Sequence, residues 1–128
     1  MALLQILVAS YLPSHVAPTG LRQSMRAARE RAESLGLAGG LLFDGEKFVQ
    51  LFIGPEDAAC QAVAALQRDA THERLHSLDT VDSLPDPAWR DWQVGYTEPA
   101  VLDSVLAAAA RGQALQAFAQ VMRAVDLT

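Results

Sequence analysis

Cysteine is almost missing from this chain. Cys60 is the one thiol in 128 residues, which excludes an internal disulfide, and its place in the alanine-rich stretch DAACQAVAAL predicts a small buried thiol. Positive charge is scarce as well: ten basic residues stand against fifteen acidic ones, for a net charge of -5. That balance gives no electrostatic basis for nucleic acid or an anionic membrane as partner. Long hydrophobic runs are also lacking. The opening MALLQILVAS is apolar but short, has no basic stretch before it and runs into YLPSHVAPTG, so neither a secretory leader nor a membrane span is expected, and the cytoplasm is the expected location. His15, His72 and His76 have no Cys, Asp or Glu neighbours at metal-ligand spacing. Glycine-rich phosphate loops, nucleophile elbows and paired catalytic carboxylates are absent too, and the chain is not expected to be an enzyme.

What is present is a globular composition, 51% hydrophobic and 20% charged, at a length that suits one domain. Residues 3–10, LLQILVAS, form an apolar run too short for a lone helix and predict a strand buried on both faces. In TGLRQSMRAARERAESLGLAGG, the residues Leu21, Met25, Ala28, Ala32 and Leu35 recur at helical spacing, with Thr19 as the expected cap and Gly36 as the left-handed stop. Two short apolar runs then flank DGEK, where Asp44-Gly45 predicts a hairpin of antiparallel strands.

Pro55, expected in the first turn with Glu56 and Asp57, opens a second helix that presents Ala59, Val63 and Leu66 on one side. A fourth strand is expected near 74–81, a proline-marked turn at 85–87 and a short strand at 91–96. Beyond Pro99 an alanine- and leucine-rich stretch, interrupted at Gly112, predicts two short helices or one kinked helix.

This order predicts an α/β (α+β) fold, a ferredoxin-like βαββαβ sheet with additions, as one domain. Strand alternation puts Leu4, Ile6 and Val8 on one face and Leu3, Leu7 and Ala9 on the other, and it divides Phe48, Gln50 and Phe52 from Val49, Leu51 and Ile53. Two helices can cover one face and the C-terminal helices the other. Gln50 interrupts an otherwise apolar strand, and a buried amide needs either a structural partner or a ligand.

Three separated segments, LGLAGGLLFDGEKFVQLFIGPEDA, RDATHERL and WRDWQVGY, resemble the BLUF family of blue-light sensors that use FAD. The likeness runs from about Leu3 to about Tyr96. It implies a ferredoxin-fold domain over 1–97 and a C-terminal helical cap of the same domain over 98–128. By this resemblance Gln50 matches the glutamine that contacts the flavin, and Ser10, Arg29, His72 and Trp92 match other cofactor-site positions. Val8 stands where the family has its photoactive tyrosine, and Arg31 and Ala32 replace its flavin-binding asparagines. Ile53 and Val94 replace the acid of its LEG motif and a methionine near its pocket. Tyr11, an odd number of residues from Val8, falls on the opposite sheet face or in the following loop.

These replacements imply a sensory or regulatory domain without the usual photocycle, with weak or no FAD binding, acting through protein contacts. The alternative is a working FAD photoreceptor with a substitute electron donor. Simpler roles stand beside the implied ones: Gln50 satisfied by backbone or water, Arg29 as a solvated helix charge, Ser10 bonded to a loop amide, His72 as a structural hydrogen-bonding residue, Trp89 and Trp92 as packing. A homo-oligomer or a complex with a signalling partner is expected to use Leu102, Leu106, Leu115, Phe118 and Val121 of the C-terminal helices. Covering the sheet is the other use for those side chains.

Overall fold

The computed structural model describes residues 3–83 and 91–124. Its element order is β1 (Leu3–Tyr11), α1 (Pro18–Ser34), β2 (Ala38–Phe43), β3 (Lys47–Gly54), α2 (Glu56–Gln67), β4 (Glu73–Ser83), β5 (Trp92–Tyr96), α3 (Pro99–Ala109) and α4 (Ala114–Ala124). The sheet runs β4-β1-β3-β2-β5. β1 pairs antiparallel with both β3 and β4, β2 pairs antiparallel with β3, and the short β5 joins β2 in parallel. This is the expected ferredoxin-like sheet with one added edge strand.

The alternation in β1 and β3 decides which layer goes where. Ile6, Val8, Phe48 and Phe52 pack with Ala32 of α1 and Ala59, Ala62 and Leu66 of α2. Leu7, Ala9, Val49, Leu51 and Ile53 pack with Leu102 and Val105 of α3 and Phe118 and Met122 of α4. Each sheet face thus has its own apolar core, and burial of those faces is the main favourable contribution to folding. Leu102 and Phe118, expected among the contact residues of the C-terminal helices, are fully buried against the sheet. Leu106, Leu115 and Val121 are partly buried around the same core.

The hairpin is fastened by Asp44, whose carboxylate accepts hydrogen bonds from the N–H groups of Glu46 and Lys47 at 2.8 Å, while Gly45 takes the positive φ of 99° that the turn requires. Gly112 separates α3 from α4 at φ 69°, giving two helices in place of one kinked one.

Several local expectations change. α1 begins at Pro18 with Ala17 in the cap position and no side-chain cap, so Thr19 lies inside the helix; the fixed φ of proline suits the first helical residue. Pro55 is the cap residue of α2 and lies just outside its first turn. On α2 the buried places go to Ala59, Ala62 and Leu66, leaving Val63 half-buried. Cys60 is exposed, because that stripe turns position 60 outward. β4 extends over Glu73–Ser83, beyond the expected 74–81, and β5 starts at Trp92. The expected turn at 85–87 and Trp89 lie outside the described residues.

Candidate functional site

Gln50 lies in the middle of the sheet, with Val8 opposite it on β1 and Leu41 opposite it on β2. Val94 on β5 completes this row beside Leu41. Side chains of the row belong to the core beneath α1 and α2. Gln50 is fully buried there, and its Oε1 and Nε2 have no hydrogen-bonding partner among the described residues. Trp92 repeats the pattern: its ring stacks on Phe52 at 5.1 Å, and its buried indole Nε1 has no partner among the described residues. Unmet buried polar groups cost about 1–3 kcal/mol each, so both residues carry unused capacity to hold a polar ligand edge.

At the end of β1, a polar chain joins β1, α1 and the loop between α2 and β4. Ser10 Oγ lies 2.8 Å from His72 Nδ1, Ser24 Oγ lies 3.3 Å from His72 Nε2, and Ser24 donates to Asp69 Oδ2 at 2.6 Å. Asp69 also accepts the Thr71 N–H at 2.9 Å. Phe48 packs on the imidazole at 4.4 Å. Burial pushes the His72 pKa down and the Arg31 charge acts the same way, outweighing the opposing Asp69 carboxylate. Burial alone would raise the Asp69 carboxyl, but hydrogen bonds from Ser24 and Thr71, with the His72 charge, hold it below the usual value.

The sequence-derived positions therefore fall into groups. Val8 and Gln50 face each other, Trp92 lies farther along β5, and Ala32 is buried over the same core. Ser10 and His72 are hydrogen-bonded to each other. Arg29 lines two grooves on the β5 side of α1, whereas Arg31 lines a groove of ≈ 430 Å³ with Gln61 and Arg68 of the α2 side. Tyr11 ends β1, with the Arg74 guanidinium 3.9 Å above its ring and His76 beside it.

Ser24 and Asp69 are not among the sequence-derived positions. Ser24 was detectable as the polar residue three after Leu21 on the buried stripe of α1. Lys47 is a third omission. Its buried ammonium joins Asp44 at 2.6 Å and Asp103 at 2.9 Å, tying the hairpin to α3. Among the described residues no cluster of His, Cys, Asp and Glu is arranged to hold a metal, and no helix is long and apolar enough to cross a membrane.

A family model described as BLUF, sensors of blue-light using FAD, matches residues 3–95. Solved structures of similar fold include BlrB, a BLUF protein in its dark state, with a TM-score of 0.73 and 21% identity, covering 95% of this chain and 96% of that one. The photo-activated state of BlsA follows at 0.67 and 16%, covering 88% and 81%. Klebsiella pneumoniae BlrP1 with FMN and cyclic diGMP gives 0.62 and 22%, covering 75% of this chain but 25% of that one. No curated protein sequence matches the chain.

Proposed function

The chain belongs to the BLUF family, and from that premise we propose that it is a sensory or regulatory domain without the usual light-driven cycle, binding FAD weakly or not at all and acting through protein contacts. The observation that carries this reading is Val8, buried directly opposite Gln50. By the family resemblance, that position holds the tyrosine that supplies the electron and proton. An aliphatic side chain has no ionisable proton and no accessible oxidation, so the Val8–Gln50 pair cannot perform that step.

The residues present fit the cofactor's binding better than its photochemistry. Gln50 and Trp92 offer a ring edge buried polar atoms that have no partner among the described residues, and Ser10, Arg29 and His72 are the further residues that would surround it by the resemblance. Bound flavin would supply a blue-absorbing, reducible ring. Gln50 would hold that ring by donating from Nε2 or accepting at Oε1, while Val8 and Ala32 would exclude water without orienting it. Replacing hydrogen bonds of about 1 kcal/mol each by aliphatic contact weakens binding, although burial of the ring contributes separately.

The test is an absorption spectrum of the protein equilibrated with excess FAD and desalted, taken in the dark and after blue light. No flavin band, or a flavin band that light leaves in place, is the expected result. A reversible red shift would overturn it. The orphaned amide of Gln50 favours the second reading, a flavin-binding photoreceptor with a substitute electron donor, and the red shift is the outcome that reading requires.

Signalling would pass through a homo-oligomer or a signalling partner. The similar folds of BlrP1 and of a bacterial light-regulated adenylyl cyclase occur within longer chains, of which this chain spans 25% and 36%. That supports a module that acts on something attached or docked. Leu106, Leu115 and Val121 are apolar positions on the C-terminal helices that are only partly buried. Light scattering on Leu106→Arg and Val121→Arg should show a loss of self-association if the wild type is oligomeric. An assembled wild type unaffected by both substitutions would remove this surface from the reading.

A further inference from the structure

Arg22, Arg26 and Arg29 line one groove of ≈ 420 Å³ with Met25, and Val94 and Tyr96 of β5 form its other wall. Steps of four and three residues put the arginines on one side of α1. Among the described residues no acidic side chain lines this groove; Glu33 and Asp91 line the neighbouring one, beside Trp92. Arg22 and Arg26 are exposed and make no ion pair among the described residues. Like charges four apart on a helix repel, and an anion bound between them relieves that cost. Tyr96, 57% exposed, is a large hydrophobic side chain left open to solvent.

We propose that this groove binds a nucleotide-class ligand, its phosphates against Arg22 and Arg26 and its planar ring against Tyr96 over Met25 and Val94. Guanidinium groups match phosphate geometry and aromatic rings stack on bases, and the two are side by side here. The groove is open and its volume small, and one aromatic side chain beside two guanidinium groups suits a small molecule with one ring and phosphates better than an extended acidic peptide. The groove lies on the β5 side of α1 and Gln50 is not part of it, although Arg29 and Val94 border both it and the implied flavin surroundings; the inference goes beyond the regulatory reading and is tested on flavin-free protein.

Calorimetric titration of flavin-free protein with ADP, and separately with inorganic pyrophosphate, tests the site at low ionic strength. Saturable ADP binding below about 1 mM is expected, weakening as salt is added. The double substitution Arg22→Gln with Arg26→Gln should weaken both probes by about tenfold or more. Tyr96→Ala should weaken ADP and leave pyrophosphate unchanged, while Gln50→Leu should change neither. Circular dichroism checks that each variant is folded, and amide chemical-shift mapping on the unmutated chain gives an answer independent of them. No saturable binding, shifts confined away from α1 and β5, or ADP binding that survives the double substitution would overturn the proposal. So would loss of ADP binding in Gln50→Leu, which would place ADP in the flavin region, or competition by poly-glutamate as effective as ADP.

Discussion

Val8 and Gln50 oppose each other across the β1–β3 ladder, an aliphatic side chain against an amide whose two polar atoms have no partner among the described residues. An apolar replacement of similar size relieves the unmet amide. Gln50→Leu is therefore expected to raise the unfolding free energy of the flavin-free protein by about 1–3 kcal/mol in urea titrations. A loss of stability instead would mean that water or another group satisfies the amide.

Lys47 has two carboxylate partners of unequal worth. The Asp44 side chain is fully buried and that of Asp103 is 66% exposed. Burial pulls the Lys47 pKa down, but hydrogen bonds to Asp103 and Asp44 outweigh it and hold the ammonium above its usual value. Asp44→Ala should cost about 2–4 kcal/mol, since it strands a buried cation and removes the turn's acceptor, whereas Asp103→Ala should cost less than about 1 kcal/mol. Equal costs from denaturant titration would contradict this ranking.

His72 gives stability a dependence on pH. Its folded pKa lies below the ordinary histidine value of 6.5, so as pH falls the unfolded chain takes up the proton first. The stability linked to His72 is complete above that value and is lost as pH drops through the folded one. The urea midpoint should decrease between about pH 7.5 and about pH 5.5, and His72→Gln, which hydrogen-bonds without titrating, should flatten that decrease. Asp69, also depressed, adds a loss of the same sign that begins only in the carboxylate range.

Gly39 tolerates no side chain. It adopts φ 120°, and a Cβ there would run into the backbone carbonyl of Leu51 on the paired strand. Gly39→Ala should cost more than about 3 kcal/mol or abolish folding, as read by thermal melts monitored by circular dichroism. At Gly36, at φ 69°, an added Cβ would meet no atom of the described residues beyond its chain neighbours, and the corresponding change should cost only about 1 kcal/mol.

Much of the fold was legible because its causes are local. Alternation in LLQILVAS and KFVQLFIG assigns each side chain to a sheet face, and Asp44-Gly45 forces the reversal between β2 and β3. Gln50 stood out for the same reason, as one polar side chain in a buried strand. Local pattern failed at Cys60 and Thr19. An alanine-rich helix has several almost equivalent stripes, and a proline one residue earlier sets the helix start more firmly than a threonine.

The strands, the helices and the two apolar faces follow from the sequence alone, since hydrophobic period needs no distant partner. Tertiary structure alone decided which polar groups are satisfied. Ser10 and Ser24 reach His72 from 62 and 48 residues away, Lys47 finds Asp103 on α3, and Gln50, equally buried, finds none among the described residues. A hydrogen bond depends on where the sheet and its covering helices bring remote side chains together, and that closure is a property of the whole packed chain.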